Sequence, residues 1–508
     1  MIYSLLRPLL LASVLDGSLV SCSRGASARE VATSSHDWTR FGHDAARSSA
    51  SADATGIDAA NVSALRRQEV AIDGTVDAST IYLHDVRVGG VRHDALFVTT
   101  TYGKTLAIDA NSGAILWRFT PPEYGSFAGS YRITNATPVA DPDRESIYAA
   151  APDGYVRKLA VADGRPVWST AITTLPGREK IASPLNFDRG HVIATTGGYI
   201  GDAPPYQGHV AVLDATSGRL LHAWNSLCSD RAGLLAPDSC VESGSAIWGR
   251  AGAVIDTATG DIYVATGNGR WDGRTNWGDA VLELDADATR LLGNYTPANT
   301  AMLDQTDGDL GSTSPVLLGG GGVAQGGKDR RIRVLDWNRM RGPAPHRDSE
   351  SQEVSTPSGG GLFSAPAIFR KGATTWLFAA DFGGTAAWTF VGGRLRPSWH
   401  NGNGGTSPVV AGGLLYVYDP GGWLRVYEPE TGREVARLRC GGGHWNSPIV
   451  VDGMIVIPEG NANDHRTTGV LNIFRSVSSA PLTNSRCRPG RTVGVTDPSC
   501  SFAFRLGS

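Results

Sequence analysis

Leu106-Ala107-Ile108-Asp109-Ala110-Asn111-Ser112-Gly113, followed by Trp117, is the clearest copy of a phrase that recurs about every 50 residues. Residues 212–218, Val-Leu-Asp-Ala-Thr-Ser-Gly, followed by Trp224, repeat it. Alternating apolar residues, a turn that contains Gly and a closing Trp are typical of two antiparallel strands of a propeller blade, in which the Trp covers the neighbouring blade. We therefore predict a β-propeller.

Weaker copies lie where the period requires them. They keep the apolar run but lose the Asp or the Trp, and they bring the predicted blades to eight: residues 158–168, 282–285, 334–336, 388–399, 424–432 and 469–474. Helix signals are nearly absent. The expected fold is all-β, an eight-bladed β-propeller of four-stranded antiparallel blades.

A second phrase supports this number of blades. A dipeptide that ends in Pro precedes six short apolar runs: Thr137-Pro138, Ser183-Pro184, Ser314-Pro315, Ala365-Pro366, Ser407-Pro408 and Ser447-Pro448. Pro at the first position of a strand costs no ladder hydrogen bond, so each dipeptide predicts the start of a blade's innermost strand.

The two ends of the propeller are predicted to meet in one blade. Residues 38–42 precede the first full repeat, and residues 66–72 have the pattern of a strand. We expect this N-terminal segment to join the blade formed around residues 471–474, because pairing the two ends removes exposed sheet edges.

Composition agrees with a single propeller. The chain has 508 residues, among them 64 Gly and 13 Trp, which suit many tight turns and aromatic contacts between blades. A propeller spreads its core over many small layers, so this length does not require several domains. Only 19% of the residues are charged and the formal net charge is -3, so a nucleic-acid-binding surface is not expected.

The first residues predict export. Arg7 is followed by a short apolar stretch, and Leu19-Val20-Ser21-Cys22 resembles the lipobox of bacterial lipoproteins. The stretch is too short and too interrupted for a transmembrane helix. The resemblance implies cleavage before Cys22, lipidation of its thiol, and a periplasmic protein anchored by lipid at the outer membrane. An ordinary secretory signal with an incidental Cys is the alternative.

These features divide the chain into four parts. Residues 1–22 are the predicted lipoprotein-type signal peptide, and residues 23–36, rich in Ser, Ala and charge, are a predicted flexible tether. Residues 37–480 are the predicted propeller, and residues 481–508 are a C-terminal tail.

An exported protein matures in an oxidising compartment, where paired cysteines form disulfides. Cys228 and Cys240 bracket one loop, and Cys487 and Cys500 bracket the tail, so we predict two local disulfides and leave Cys440 unpaired. Reduced, buried thiols are the alternative for each pair. No Cys-x-x-Cys-His sequence occurs, so covalent c-type haem is excluded.

A longer stretch carries a family resemblance. Residues 247–256, Ile-Trp-Gly-Arg-Ala-Gly-Ala-Val-Ile-Asp, continue through residues 260–268, Gly-Asp-Ile-Tyr-Val-Ala-Thr-Gly-Asn, to Asn276-Trp277-Gly278-Asp279. This run resembles the quinoprotein alcohol dehydrogenase-like propellers, and the blade phrase resembles the tryptophan-docking repeat of the same superfamily. The resemblance implies an eight-bladed propeller whose axial funnel, in the enzymes, holds pyrroloquinoline quinone (PQQ) and a calcium ion.

The resemblance assigns roles to individual residues. Asn268 falls on the position of a calcium-ligating Asn, and Asp309 falls on that of the catalytic Asp, which is also a metal-ligand candidate. Lys328 takes the place of a basic residue that contacts the quinone oxygens. Trp248 takes the place of the indole that stacks beneath the quinone.

Two departures weaken the match. Tyr199 stands where the enzymes have a calcium-ligating Glu, and Asp202 is the nearest carboxylate. No adjacent cysteines lie between Phe119 and Thr137 to form the vicinal disulfide that the enzymes carry above the cofactor. Calcium takes about six to eight oxygen ligands, several of them charged, so a lost carboxylate weakens such a site.

The chemistry of these residue types suits a quinone site. A carboxylate in the funnel can take a proton from an alcohol while hydride passes to the quinone, and Asp309 is the candidate. Lys328 can polarise the quinone oxygens, and Trp248 offers a flat apolar floor. Each also has a structural alternative: Asp309 as a turn cap, Asn268 as a left-handed turn residue, Trp248 as packing between blades, and Lys328 as a solvated turn residue.

Further polar and aromatic residues are candidates for the funnel. Asp307 and Trp445 are expected contacts of the cofactor. Asp381, His400 and His444 lie near the predicted ends of inner strands and are flanked by Gly. Close approach to a ligand explains the Gly residues, but so does crowding at the axis.

Two functional classes remain. The first is a periplasmic PQQ-dependent oxidoreductase that oxidises an alcohol or a sugar and passes electrons to a separate acceptor, because the chain has no haem site of its own. The second is a non-catalytic propeller, anchored at the outer membrane, that binds partner proteins of the periplasm or outer membrane as a scaffold. Joint presence of Trp248, Asn268, Asp309 and Lys328 favours the first class, and the two departures favour the second.

Overall fold

Eight antiparallel sheets follow one another along the chain, as the repeat predicts. The computed structural model describes residues 36–240 and 242–476. The predicted signal peptide, most of the tether, the tail and the Cys487–Cys500 pair lie outside the described residues. Seven sheets are formed by consecutive strands, and the eighth pairs the two ends of the propeller.

The strands of the first four sheets have the following bounds. The N-terminal strand is β1 (Arg66–Ile72), and the next sheet contains β2 (Ile81–Val88), β3 (Val91–Thr99), β4 (Thr105–Asp109) and β5 (Ile115–Phe119). The following sheets contain β6 (Val139–Ala140), β7 (Ser146–Ala150), β8 (Tyr155–Ala160) and β9 (Pro166–Ala171), then β10 (Glu179–Ile181), β11 (Asn186–Asp188), β12 (His191–Gly198), β13 (His209–Asp214) and β14 (Leu220–Asn225), then β15 (Val254–Ile255), β16 (Ile262–Ala265), β17 (Val281–Leu284) and β18 (Leu291–Tyr295).

The remaining sheets are built in the same way. They contain β19 (Val316–Gly319), β20 (Gly322–Gly326), β21 (Arg331–Asp336) and β22 (Gln352–Ser355), then β23 (Ala367–Lys371), β24 (Thr374–Ala380), β25 (Thr385–Val391) and β26 (Arg394–Asn401), then β27 (Val409–Ala411), β28 (Leu414–Asp419), β29 (Trp423–Tyr427) and β30 (Glu434–Arg439), and finally β31 (Ile449–Val451), β32 (Met454–Glu459) and β33 (Gly469–Arg475). The α-helices of the described residues are short, α1 (Tyr124–Phe127) and α2 (Thr300–Gln305).

The recurring phrase forms the turn between the third and fourth strands of a sheet. Asp109, at the end of β4, accepts hydrogen bonds from the Ser112 N–H at 2.7 Å and the Ser112 hydroxyl at 2.6 Å. The Gly113 N–H closes the turn on the Asp109 carbonyl at 2.8 Å. Gly113 has a φ of +78°, a conformation that Gly adopts at no steric cost.

The closing Trp packs on the Gly turn of the next sheet. The Trp117 indole N–H donates to the Val161 carbonyl at 2.8 Å, and a Cβ on Gly164 would lie 2.5 Å from the Trp117 ring. Trp168 makes the same contact with Gly218 of the following sheet. The phrase therefore encodes both the turn and the joint between neighbouring sheets.

Each Pro dipeptide stands just before a strand at one edge of a sheet, although β10 precedes β11 at the same edge, where both strands pair with β12. The six strands that follow them are β6, β11, β19, β23, β27 and β31. The hydrophobic cores lie between neighbouring sheets: one, for example, joins Phe97 and Trp117 to Ile147 and Leu159 of the next sheet.

The predicted closure is confirmed. β1 pairs with β33 in an antiparallel register that runs from Arg66 opposite Arg475 to Ile72 opposite Gly469. This pairing completes the order β1-β33-β32-β31, so the first strand forms one edge of the last sheet. Trp38 itself bridges to Tyr82 of β2 and thus belongs to the neighbouring sheet.

The segment between Trp38 and β1 crosses the ends of the inner strands. Its backbone carbonyls accept hydrogen bonds from several sheets at 2.7–3.0 Å: Thr39 from Ala140, Ala45 from Ile255, Ser48 from Ile368 and Ser49 from Val410. The segment therefore covers one end of the axis and ties several sheets together.

The predicted disulfide between Cys228 and Cys240 is present. Cys440 is a free, buried thiol, as expected, and burial raises its pKa to about 12. It is therefore an inert core residue. No helix among the residues that the structure describes is long and apolar enough to cross a membrane.

We expect Gly218→Ala to destabilise the propeller more than Gly392→Ala. Both residues have positive φ, +73° and +59°, so each substitution carries a strain of about 1 kcal/mol. A Cβ at Gly218 would also lie 2.5 Å from the Trp168 ring, which adds about 1–3 kcal/mol, whereas a Cβ at Gly392 meets nothing within 4 Å. Thermal unfolding followed by circular dichroism measures the difference, and equal melting temperatures would show that the Trp contact contributes nothing.

Candidate functional site

The other end of the axis holds a cavity of about 420 Å³, called the axial cavity below. Its walls come from residues that lie before or after the inner strands of several sheets. Trp248 precedes β15, Asn268 follows β16, Asp309 precedes β19 and Lys328 follows β20. The cavity thus brings together the four residues that the resemblance singles out.

Asp309 lies in a tight network of hydrogen bonds. Its Oδ2 is 2.5 Å from the Lys328 Nζ, and its Oδ1 accepts the Asn268 N–H at 2.5 Å. Lys328 also donates to Asp307 Oδ1 at 2.6 Å. Asp309 is buried, whereas Asp307 is exposed, so the ammonium group of Lys328 joins a carboxylate inside the cavity to one at its rim.

Burial and charge set the protonation of this pair. Burial raises the pKa of Asp309, against the opposing influence of Lys328 and of the Asn268 N–H. Burial would lower the pKa of Lys328, but Asp309 and Asp307 outweigh it and raise the pKa. Lys328 therefore stays charged beside a carboxylate that holds a proton more readily than a free Asp.

Gly267 allows this geometry. A Cβ at Gly267 would lie 2.4 Å from Asp309 Oδ1 and 3.1 Å from the Trp248 indole nitrogen. A side chain at this position would displace the Asp309 carboxylate and the Trp248 indole from their places beside the backbone of residue 267. The Thr-Gly-Asn sequence thus serves a close approach as well as a turn.

Aromatic rings form a second wall of the cavity. The Phe363 ring lies 6.2 Å from Trp248, 5.5 Å from Trp445 and 5.8 Å from Phe382, measured between centroids. The Lys328 Nζ lies 5.3 Å from the centroid of the Trp248 ring. Trp248 and Trp445 therefore line the cavity, where we expect them from the sequence, and Phe363 joins them although no sequence motif indicates it.

The donor set does not fit a calcium ion. Asn268, Asp309 and Asp202 all line the cavity, but the Asp309 carboxylate is bound by Lys328 and the Asn268 N–H. In residues 36–240 and 242–476, no three His, Cys, Asp or Glu side chains cluster in a way that could hold a metal ion. Tyr199, in place of the expected Glu, donates its hydroxyl to the Pro176 carbonyl at 2.8 Å.

The other polar candidates for the funnel lie in three different places. Asp381 accepts the N–H groups of Ser358, Gly383 and Gly384 at 2.8–2.9 Å and so caps a turn. His400 lines a different cavity. His444, in contrast, lines the axial cavity next to Trp445. The Gly residues around Asp381 are thus explained by its turn.

Two further cations, which no sequence motif singles out, lie in the cavity wall. Lys180 lies in β10, and Arg250 follows Trp248 by two residues. Lys180 lies three residues before Ser183-Pro184, which predicts the start of an inner strand. A charged residue next to such a strand indicates a position close to the axis. Arg250 lies inside the stretch that carries the family resemblance, where no role was assigned to it.

Behind Asp309 lies a second buried carboxyl group, Asp279. Its Oδ1 accepts the Leu310 N–H at 2.9 Å, and its Oδ2 is buried without a hydrogen-bond partner. Burial raises the pKa of Asp279 to about 8, and the charge of Asp309 acts in the same direction. Asp279 is therefore a neutral support for the loop that carries Asp309.

Comparison with known proteins identifies the family. The family described as outer membrane protein assembly factor BamB (PQQ_2) matches residues 49–233 and 373–470, which is more than half of the chain. The chain belongs to this family. The matched ranges leave out residues 234–372, the part that carries Trp248, Asn268, Asp309 and Lys328.

The relatives with assigned activities are dehydrogenases. Polyvinylalcohol dehydrogenase of Pseudomonas sp is 23% identical over 436 residues, which cover 73% of this chain and 66% of the relative. Polyvinylalcohol dehydrogenase of Sphingopyxis sp. (strain 113P3) is 25% identical over 207 residues, 38% of this chain and 31% of the relative. The chain therefore spans less than two thirds of the length of these relatives.

Solved structures share the fold. Quinohemoprotein alcohol dehydrogenase from Comamonas testosteroni superposes with a TM-score of 0.64 at 16% identity and covers 91% of this chain and 82% of its own. A europium-containing methanol dehydrogenase gives a TM-score of 0.62 at 15% identity and covers 87% and 98%. At this identity the likeness supports the eight-bladed fold alone.

We expect Asp279→Asn to change the pH dependence of stability. The pKa of Asp279 is raised from 3.8 to about 8, so the stability that its neutral form provides is complete below pH 4 and is lost as pH rises to about 8. Asn stays neutral, keeps the acceptor for the Leu310 N–H and tolerates the φ of 49°. The melting temperature of the variant should rise above that of the native protein progressively between pH 5 and about 8. Parallel curves across this range would contradict the assignment.

Proposed function

We propose that this protein is a PQQ-binding oxidoreductase that oxidises alcohols and passes the electrons to a separate acceptor. The observation that carries the proposal is the arrangement of Asp309, held by Lys328 and the Asn268 N–H, beside the Trp248 ring in the axial cavity. A buried carboxylate beside a fixed cation and a flat ring is what alcohol oxidation on a quinone requires.

Three features of the cavity fit a flat quinone with acidic groups. Trp248 provides an aromatic surface, and Phe363 and Trp445 continue it. Gly267 removes the side chain that would otherwise fill the space between Asp309 and Trp248. The buried Nε of Arg250 has no hydrogen-bond partner in the protein. Trp248, Trp445, Lys328 and Asp307 would hold the quinone. Calcium does not enter the proposal, because its donor set does not fit.

In this proposal, three residues of the cavity have different roles in the oxidation of the alcohol. When bound, PQQ supplies the acceptor for a hydride. Asp309 takes the hydroxyl proton of the alcohol at Oδ2, and its raised pKa brings it closer to the proton affinity that a general base needs. Lys328 keeps its positive charge, which would stabilise negative charge that develops on a bound quinone. Asn268 fixes Asp309 through its N–H, so the carboxylate does not rotate.

The mouth of the cavity favours an alcohol on an apolar chain over a sugar. Ile200, which lines the cavity, is 65% exposed, and Phe382, beside Phe363, is 58% exposed. Exposed apolar side chains at a cavity mouth mark a surface that binds apolar groups. Polyvinyl alcohol, named in two relatives, carries hydroxyls on such a chain and is the first substrate to test.

We also propose a periplasmic location with a lipid anchor at Cys22, on the resemblance of Leu19-Val20-Ser21-Cys22 to a lipobox. The boundaries 1–22, 23–36, 37–480 and 481–508 belong to the same proposal. The scaffold alternative, in which the propeller binds periplasmic or outer-membrane proteins, has less support, because the relatives with assigned activities are dehydrogenases.

We expect Asp309→Asn to keep PQQ binding but to abolish turnover. Asn has the size of Asp and can accept from the Asn268 N–H, but it cannot act as a base. Dye-linked oxidation of alcohols by the reconstituted protein should fall by about two to four orders of magnitude. Asp304→Asn, which changes an exposed carboxylate on α2, is the matched control and should retain full activity.

Two results would overturn this assignment. If Asp309→Asn oxidises alcohols at the native rate, Asp309 is not the base. If PQQ neither binds the native protein nor raises its melting temperature, with calcium or without it, the oxidoreductase proposal fails and the scaffold is favoured.

A further inference from the structure

Arg250 is a buried cation for which the described residues supply no carboxylate partner. Only 7% of the residue is exposed, and its Nε is buried with no hydrogen-bond acceptor. Its guanidinium lies 4.9 Å from the centroid of the Trp445 ring, inside the wall of the axial cavity. In the part of the chain that the structure describes, Arg250 forms no ion pair.

Lys180 lies in the same wall. Its Nζ donates a hydrogen bond to the side-chain oxygen of Asn135, a neutral group. Burial lowers the pKa of Lys180 to about 8, and the charge of Arg250 acts in the same direction. Burial likewise lowers the pKa of Arg250 to about 10. The two cations therefore repel each other and are poorly compensated.

The nearest carboxylate, Asp77, does not neutralise them. Its Oδ1 accepts the Trp445 N–H at 2.6 Å, and its Oδ2 accepts the Ala462 N–H at 3.1 Å and lies 2.8 Å from the His444 Nδ1. The Asn135 amide also donates to Asp77 Oδ2 at 3.2 Å. Asp77 thus uses its hydrogen-bonding capacity on other groups and acts on Lys180 and Arg250 only at a distance.

Taking a cation out of water without an opposite charge is energetically unfavourable, so a buried, unpaired cation in a cavity wall is a candidate for binding an anionic ligand. Each free N–H of Arg250 can donate to an anion, and its planar guanidinium matches the two oxygens of a carboxylate. The position is specific within the cavity, because Lys328 lies at the Trp248 end of the aromatic wall and Arg250 at the Trp445 end. A ligand that stacks on this wall has a cation at each end.

We propose that Lys180 and Arg250 form an anion pocket that binds a carboxylate of the quinone cofactor. The inference rests on the proposed function, since PQQ is a tricarboxylic acid. Binding at this pocket places one acidic edge of the quinone against Trp445 and leaves the opposite end facing Lys328 and Asp309. The pocket thereby sets the orientation of the cofactor.

Calorimetric titration of the purified protein with PQQ and with its trimethyl ester tests the pocket. The native protein should bind PQQ more tightly than the ester. Arg250→Met and Lys180→Met should each weaken PQQ binding on the order of tenfold to a hundredfold and leave the affinity for the ester unchanged. Arg178→Met removes an exposed cation two residues before Lys180 and should change neither affinity.

The melting temperature of the ligand-free variants gives a second readout. Removal of an uncompensated buried cation should raise it for Arg250→Met, and a fall would show that Arg250 has a structural partner and would contradict the pocket. Native-like PQQ affinity in both variants would also overturn the proposal while leaving the oxidoreductase intact, whereas the absence of PQQ binding to the native protein would overturn both.

A substrate carboxylate is the other source of the same chemistry. If the native protein binds PQQ and the ester equally, yet oxidises glycerate faster than glycerol and loses this preference in Arg250→Met, the pocket serves the substrate. That result would overturn the assignment to the cofactor.

Discussion

The contact between a Trp and the Gly turn of the next sheet holds the ring of sheets together. Trp117 on Gly164, Trp168 on Gly218 and Trp399 on Gly432 repeat it, each with an indole N–H bonded to a neighbouring backbone carbonyl. The turn needs Gly for two reasons at once, because its φ is positive and the ring occupies the space of a Cβ. Three of the joints between neighbouring sheets are set in this way.

A closed ring places its polar residues at the axis. The inner strands begin around the axial cavity, and the segment between Trp38 and β1 covers their other ends. The loops before and after the inner strands therefore supply the functional side chains, while the sheets supply rigidity. Within the cavity, Asp309 and Lys328 form an ion pair on one side, whereas Lys180 and Arg250, on the other side, form no ion pair with the described residues.

The fold can be predicted well from the sequence because eight copies of the repeat each indicate one blade. Strand turns, closing Trp residues and Pro-led inner strands recur, so one ambiguous copy does not mislead. The site was predicted only where a motif exists: Trp248, Asn268, Asp309 and Lys328 do meet in one cavity. Lys180 and Phe363 lie outside the motif that carries the resemblance, and Arg250 lies inside it at a position to which the resemblance gives no role. Only the closed ring shows that these three residues line one cavity. Asp381 and His400 were assigned to the funnel on flanking Gly, which a turn and a separate cavity explain.

If the axial cavity is a quinone site, a crystal structure of the protein reconstituted with PQQ should show the cofactor there. We expect one planar ligand stacked on the Trp248 ring, with its reactive end at Lys328 and Asp309 and a carboxylate within hydrogen-bonding distance of Arg250. An axial cavity that holds only solvent at saturating PQQ, or a quinone bound elsewhere on the propeller, would contradict it.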